Sequence, residues 1–483
     1  MTRRISSGFV VAAVVLCFAL AAPAQSSPTA KIASRVMTET ENGKTTEALV
    51  VLTEQADLRP AAGLQTKVEK GTFVFNTLRE VATRTQAPVL RMLDSLGVSH
   101  ESFYIVNMIK VTGGRNVMEQ LASRNDVAHI DANPLVKNAL PSGKPENSSG
   151  HVSTIEWNIA RVKAPDVWSL GFTGTGLVVG DADTGVQWDH PALKNHYRGW
   201  NGSSVNHDYN WQDLSQHSAV PVDPNSHGTF TASETVGDDG LGNQIGVAPG
   251  AKYIACRNMD SGGNGSPATY MGCFQFFIAP YPVNGDPNQG DPSKAPDSIN
   301  NSWICPPSEG CSTNTLQASV EAVRAAGIFP AMAAGNSGPG CSSVDTPPAI
   351  YAASVSVGAT DSNDNVASFS SRGPVTADNS NRIKPNLSAP GSNIRGAVPG
   401  NGYAGGWSGT SMATPHIAGA VALLWQAKPS LVGNIDTTQR LLQQNTNPGH
   451  YVSIHNCGTT LSNRPDNNFG WGVLNILRTV QAP

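Results

Sequence analysis

Gly409-Thr410-Ser411-Met412-Ala413-Thr414-Pro415-His416 runs into the apolar stretch Ile417-Ala418-Gly419-Ala420-Val421-Ala422-Leu423-Leu424. Residues 413 to 427 read as a buried helix, because Ala, Leu, Val and Trp occur almost all round, and Pro415 is acceptable in a first turn that needs no amide donor there. Ser411 then stands at a helix N-terminus. Unpaired N–H groups and the positive end of the helix dipole lie beside its hydroxyl, where an oxyanion would develop during acyl transfer. A lone serine before an apolar helix is more often a plain N-cap. Other residues therefore have to decide its role.

A serine hydroxyl is a weak nucleophile until a base takes its proton, and the base needs a third group to orient it. Leu177-Val178-Val179-Gly180-Asp181-Ala182-Asp183-Thr184-Gly185 is a β-branched run that ends in an acid and a turn. It reads as a parallel strand delivering Asp183 at its carboxyl end. Asn225-Ser226-His227-Gly228-Thr229 places His227 at the start of a helix-like stretch. The chain order Asp, His, Ser matches one of the three known triad orders. With Asp183-Thr184-Gly185, His227-Gly228-Thr229 and Gly409-Thr410-Ser411-Met412-Ala413, the chain resembles the subtilases, the subtilisin-like serine proteases. Further runs resemble the bacillopeptidase F-like group of that family: Ala164-Pro165-Asp166-Val167-Trp168, Asp189-His190-Pro191-Ala192-Leu193, Gly246-Val247-Ala248-Pro249-Gly250, Ser368-Phe369-Ser370-Ser371-Arg372-Gly373-Pro374 and Ala389-Pro390-Gly391.

The resemblance implies that Asp183, His227 and Ser411 form the catalytic triad and that Asn336, in Ala334-Gly335-Asn336-Ser337-Gly338, is the side-chain oxyanion donor. It also implies that Ser302-Trp303-Ile304, with Ala334 and Gly335, forms the substrate-binding edge. Family members more often carry Gly where Ile304 stands, which narrows or reshapes the first pocket here. Phe230 replaces a second histidine common after His-Gly-Thr. Ala192 stands where many subtilisins hold calcium with an aspartate, so a structural calcium ion lacks support and no metal ligand is assigned. Asp238, Asp239 and Asn243 form a short acidic loop, a pattern that is usually just solvated. The chemistry needs no cofactor.

Competing chemistries fit less well. An aspartic protease needs two Asp-Thr-Gly loops and this chain has one. An α/β-hydrolase needs a second glycine after the nucleophile, where Ala413 stands, and a later histidine, here His450 or His455. A binding protein that keeps the fold without the activity would have no need of all four chemical positions. His416 is five helical residues beyond Ser411, rotated about 140° away, and is read as structural. His190, His196, His207 and His217 lack a metal-ligand spacing and read as solvated loop histidines.

The chain has 483 residues, 39% of them hydrophobic, enough to bury a large core. Its net charge of −4 gives no basis for nucleic-acid binding. Charged residues make up only 14%, against 48 Gly and 33 Pro, as suits a loop-rich extracellular enzyme. Arg3 and Arg4 precede an apolar run over residues 9 to 22 ending in Ala22-Pro23-Ala24, the pattern of a secretory signal. Cys17 lies within it, leaving six cysteines, an even number that predicts disulfides in an exported chain. Fifteen connectivities are open; proximity favours Cys305 with Cys311, and one choice among the rest is Cys256 with Cys273, leaving Cys341 with Cys457. Zinc is disfavoured because there is no Cys-x-x-Cys pair.

Ahead of the protease-like region the pattern is strand over residues 47 to 52, helix over 75 to 96 with a break at Pro88, strand over 102 to 111, helix over 117 to 123 and strand over 127 to 131. This is a small α+β domain, and its position makes it resemble the subtilase propeptide, a folding chaperone and inhibitor. Beyond residue 157, short apolar strands at 177 to 180, 252 to 256, 298 to 303, 328 to 333 and 354 to 357 alternate with helices at 230 to 236, 270 to 278 and 315 to 326. Residues 260 to 297, rich in Gly, Pro and Asp, read as a long loop. The expected fold is α/β, a subtilisin-like three-layer architecture with a mostly parallel sheet, preceded by a ferredoxin-like α+β propeptide. The chain divides into a signal (1 to 24), a propeptide (25 to 140), a linker with the maturation cleavage (141 to 153) and the protease-like domain (154 to 483). The whole is expected to be a secreted monomer that acts on protein or peptide substrates, is inhibited by its own propeptide and binds no membrane once the signal is removed.

Overall fold

The computed structural model describes residues 1 and 2, 28 to 141, 144 and 145, 154 to 450, 457 to 459 and 464 to 483. The signal segment, with its paired arginines, and most of the linker lie outside the described residues.

The N-terminal unit is built from β1 (Thr45–Leu52), α1 (Lys67–Ser95), β2 (Ser99–Phe103), β3 (Met108–Gly114), α2 (Arg115–Ala122) and β4 (Val127–Ala132). Its antiparallel sheet has the order β2-β3-β1-β4. The order β-α-β-β-α-β is ferredoxin-like. Two expectations are corrected. The single strand over residues 102 to 111 is a hairpin, because Tyr104, Ile105, Val106 and Asn107 turn the chain. Nor does α1 break at Pro88. Proline removes one backbone donor, but Val74, Phe75, Leu78 and Ala82 before it and Val89 and Leu93 after it are all buried. Both halves are thus held in one helix.

After this unit come two short strands, β5 (Val136–Lys137) and β6 (Lys144–Pro145), and then the larger unit. Its main elements are β7 (Val178–Asp183), β8 (Trp211–Asp213), α3 (His227–Val236), β9 (Lys252–Arg257), β10 (Asn264–Gly265), α4 (Pro267–Ile278), β11 (Ser298–Asn301), α5 (Gln317–Ala325), β12 (Phe329–Ala333), β13 (Val355–Thr360), β14 (Leu387–Pro390), β15 (Ile394–Val398), β16 (Gly402–Trp407) and α6 (Thr410–Ala427). The segment read as a loop from 260 to 297 contains β10, and the helix expected at 270 to 278 within it is α4, which begins with a capping box on Ser266.

Seven strands form one sheet in the order β14-β13-β12-β11-β7-β9-β8, every neighbouring pair parallel. Parallel strands covered on both faces need side chains that are apolar on both, and β12 and β13 are buried throughout. One face packs Ile417, Val421 and Leu424 of α6 with Val179, Val355 and Leu387. The other packs Phe274 and Phe277 of α4 with Ile299 and Ile328, and this cluster continues into Phe75, Leu78 and Tyr104 of the N-terminal unit. The two units therefore share a core.

Polar contacts fix their docking. Gln275 Oε1 accepts from the Tyr104 and Ile105 amides at 2.8 and 3.2 Å. Lys67 Nζ donates to Asp297 Oδ1 at 2.7 Å and to the Ala295 carbonyl at 2.8 Å. The disulfides are Cys256–Cys273, Cys305–Cys311 and Cys341–Cys457, the pairing expected from the sequence.

Candidate active site

The carboxyl ends of β7, β11 and β12 meet the N-terminus of α6, the crevice where parallel sheets collect functional groups. Asp183 is the last residue of β7 and His227 the first of α3. The turn after Asp183 needs glycine: Gly185 has φ +112°, and a Cβ there would lie 1.9 Å from the Val222 carbonyl oxygen. A Cβ on Gly228 would in turn lie 2.1 Å from the Gly185 carbonyl oxygen. The two glycines let the strand end and the helix start approach each other. His227 Nδ1 lies 2.7 Å from Asp183 Oδ1, and both side chains are wholly buried. A carboxylate only accepts, so Nδ1 carries the proton and Nε2 presents its lone pair.

Ser411 is the second residue of α6, which starts three residues earlier than the periodicity suggested. Pro415 is therefore inside the helix. Lacking an N–H, it leaves the Ser411 carbonyl free, and Ser302 Oγ donates to that oxygen at 3.0 Å. Ser411 Oγ donates to the Ser302 carbonyl at 3.1 Å. Among the described residues His227 Nε2 has no partner. Catalytic hydrogen bonds in unliganded sites are often unmade and tighten on binding.

Asn336 Oδ1 accepts from the Thr410 amide at 2.8 Å and from Thr410 Oγ1 at 3.0 Å. Since its oxygen faces the helix start, its NH2 group is left to donate elsewhere. Ser302, Trp303, Ile304, Gly335, Asn336 and Ser411 line one cavity of about 150 Å³. Ala334 is buried in the core instead. Trp303 is likewise 2% exposed, stacks on Tyr270 at 4.0 Å and donates Nε1 to the Ala182 carbonyl. It anchors the edge more than it lines it. Phe230 stacks on Trp407 at 4.3 Å, and Trp407 lies 6.1 Å from the His227 ring.

The cavity also holds Asn138, Ala139 and Leu140. β5 pairs antiparallel with β10, and the Asn138 amide continues that pairing to the Gly263 carbonyl at 3.1 Å. The Ile304 amide donates to Asn138 Oδ1 at 3.0 Å. Beyond the cavity β6 pairs antiparallel with β16. The end of the N-terminal unit thus crosses the crevice as an extended chain.

One supporting residue escaped the sequence reading. Asp223 is buried, and its Oδ1 accepts from Thr184 Oγ1 at 2.9 Å and from the Asn225 and Ser226 amides. Its Oδ2 accepts from the Thr229 amide at 2.8 Å and from Thr229 Oγ1 at 2.7 Å. It caps the helix that begins with His227 and ties that helix to the Asp183 turn. No sequence signal marked it, since an acid four residues before a histidine is not distinctive.

The loop histidines are corrected. His190 is buried, with Nε2 donating to the Gly402 carbonyl at 2.9 Å and Nδ1 accepting from the Ala192 amide. His196 is buried against the Asp238 carbonyl at 3.1 Å, and His207 meets the Tyr197 hydroxyl at 3.1 Å; only His217 is exposed. Burial lowers the pKa of the first three below the ordinary histidine value. Asp239 accepts from the Leu241 and Asn243 amides and from Tyr403. These bonds hold its own turn, and among the described residues no group of three or more His, Cys, Asp or Glu could hold a metal ion. His416 is structural as expected, with Nδ1 donating to the Met412 carbonyl and Nε2 accepting from Asn158 Nδ2, both at 2.9 Å.

A buried Asp–His pair and a serine at a helix N-terminus, on one parallel α/β sheet, follow in the chain order of subtilisin. Comparison with known proteins agrees. The family described as the Subtilase family matches residues 174 to 472, and the chain belongs to it. It is 36% identical over 447 residues to bacillopeptidase F of Bacillus subtilis (strain 168), an alignment covering 89% of this chain and 30% of that protein. It is 33% identical over 282 residues to subtilisin Savinase of Lederbergia lenta, covering 57% of this chain and 86% of the relative. Subtilisin E of Bacillus subtilis (strain 168) is 29% identical over 335 residues, 69% of this chain and 74% of the relative. The chain thus spans under a third of the length of bacillopeptidase F. Subtilases need no cofactor for their chemistry.

Proposed function

We propose that this chain is a secreted serine endopeptidase, made with a signal and a propeptide and matured by its own active site. The observation that carries the reading is the buried 2.7 Å Asp183–His227 contact, taken with the cavity that Ser411 and Asn336 share. In the proposed reaction Ser411 Oγ turns from the Ser302 carbonyl to His227 Nε2, which takes its proton as the oxygen attacks the substrate carbonyl. Asp183 holds the imidazole in the Nδ1–H tautomer and stabilises the imidazolium. The negative oxygen is received by Asn336 Nδ2 and by the Ser411 amide, one of the helix N–H groups with no partner within the helix. His227 then protonates the leaving amine, and water releases the acyl group by the reverse path. Loss of one such donor costs about 10²–10³ in kcat, a figure that belongs to subtilisin and is carried over to Asn336.

The propeptide reading is supported by the extended run from β5 to Leu140 in the cavity, and export by the three disulfides. Substrates would be extended segments of protein, added as a strand beside β10 in place of β5. The test is expression of the full chain beside Ser411→Ala, following band size, casein hydrolysis and the new N-terminus by mass spectrometry. Wild type should lose about 110 to 130 residues after the signal and digest casein; the variant should do neither. A variant that matures and digests like wild type removes Ser411 from the mechanism. Should neither protein digest anything, the chain is a binding protein.

A further inference from the structure

Asp181 stands two residues before Asp183, so strand alternation puts both side chains on one face of β7. It is 3% exposed. Asn300 Nδ2 donates to its Oδ1 at 2.8 Å, and Thr231 Oγ1 lies 3.3 and 3.4 Å from its two oxygens. Thr231 sits in α3 and also donates to the Gly228 carbonyl at 3.2 Å, in the turn that starts with His227. Thr231 thus has one proton to share between the Gly228 carbonyl and the two oxygens of the Asp181 carboxyl. Asn300 leads the other way: Ser302 Oγ shares its one proton between Asn300 Oδ1 at 3.3 Å and the Ser411 carbonyl at 3.0 Å. One buried carboxyl therefore sits on the Asp183 strand and reaches the His227 helix and the Ser411 helix through one and two side chains.

We propose that Asp181 is a positioning residue for the triad, a buried carboxyl that accepts from Asn300, hydrogen-bonds Thr231 and so registers the three elements carrying Asp183, His227 and Ser411. The inference rests on the reading of those three residues as the catalytic groups. Burial, and after it the charge of Asp183, holds the Asp181 carboxyl well above the usual carboxylate range. The other groups facing it are accounted for. Asp223 adds a smaller push in the same direction, and the Tyr253 hydroxyl on β9 is itself held neutral by burial. His227 is engaged by Asp183, Arg257 on β9 by Asp213, and Glu234 on α3 by Asn158. A neutral Asp181 leaves a single carboxylate beneath the imidazolium that forms during the reaction. An ionised one would raise the histidine pKa and move the acid limb of the pH profile upward.

The test compares Asp181→Asn, Asp181→Val and Thr231→Val in the mature enzyme, using a peptide anilide across pH 5 to 10. The expected result is that Asp181→Asn, which keeps both hydrogen bonds, holds kcat and KM within about 3-fold and leaves the acid limb in place. Asp181→Val should lower kcat about 10-fold at unchanged KM, since misplacement of catalytic groups is felt in the transition state. Should that variant fail to fold, Thr231→Val, which removes only the link to the His227 helix, should lower kcat about 3-fold at unchanged KM. Wild-type kcat in the valine variants overturns the proposal. So does an acid limb that falls by about half a pH unit or more in Asp181→Asn, because that variant would then have removed a charge. An absence of Ser411-dependent hydrolysis in the wild type would instead refute the triad reading, and this inference with it.

Discussion

Replacing Asp223 by alanine tests how the site is held together. Five donors converge on this buried carboxylate: the Asn225, Ser226 and Thr229 amides and the Thr184 and Thr229 hydroxyls. Hydrogen bonds to a charged group contribute about 1.5–3 kcal/mol each when deleted singly, and a lost helix cap costs about 0.5–2 kcal/mol. Water admitted by the truncation re-solvates several donors together, so the terms do not add, and a net loss of about 3–4 kcal/mol follows. At about 2.1 cal/mol/K of unfolding entropy per residue, over the roughly 330 residues of the larger unit, this lowers Tm by about 5 °C. The measurement is calorimetry in a Ser411→Ala background, so that autolysis does not intrude. Asp223→Asn keeps one acceptor but turns an NH2 toward donors, and should lose about half as much. With Ser411 restored, Asp223→Ala should also lower kcat about 10-fold, as His227 loses its fixed helix start. A Tm within about 1 °C of the parent would refute the claim that this carboxylate organises the Asp183 turn and the His227 helix.

Lys67→Met removes one partner of an ion pair whose side chains are only 13% and 11% exposed, leaving Asp297 Oδ1 unpaired at the junction of the two units. Breaking such a pair costs about 3–5 kcal/mol. Opening of the N-terminal unit, read as limited proteolysis of the Ser411→Ala full chain, should therefore quicken by about 10²- to 10³-fold or more, and an unchanged rate would count against the junction described. Acid stability should carry the mark of His416, whose pKa burial pushes down to about 4. The unfolded chain protonates this ring below about 6.5 while the folded chain does not, so stability present above that value is lost as pH falls toward about 4, by about 3 kcal/mol. Urea midpoints at pH 7 and pH 4.5 should show this loss in Ser411→Ala and a smaller one in Ser411→Ala/His416→Gln.

Much of the architecture could be read in advance. Leu177-Val178-Val179 and its counterparts announce parallel strands, and two short motifs mark Asp183 and His227, now found in contact. Local periodicity failed where tertiary packing outweighs it. Pro88 reads as a helix break, yet burial on both sides of it carries α1 through, and Pro415 is tolerated mid-helix because Ser302 takes the carbonyl it frees. The hairpin at Tyr104 was hidden because its turn is stabilised by Gln275, 171 residues away. The histidines at 190 and 196 look solvated among aspartates, and their burial depends on carbonyls of Gly402 and Asp238 that no short window contains. Asp181 and Asp223 escaped for the same reason. An acid near a motif has no distinctive spacing, and only the assembled sheet shows which donors point at it.

The strand that crosses the crevice has a kinetic consequence. Residues 136 to 140, which reach into the Ser411 cavity, belong to a unit that shares a core with the larger one, so under the proposed self-maturation the first peptide bond offered to Ser411 is tethered to it. Its effective concentration is set by geometry and not by how much protein is present. Processing of this kind is first order, and the half-time of the first cut should stay constant when the protein is diluted. Under the proposed self-maturation every later substrate arrives by diffusion, so the site would pass from a unimolecular to a bimolecular regime at the moment its own chain is severed and leaves.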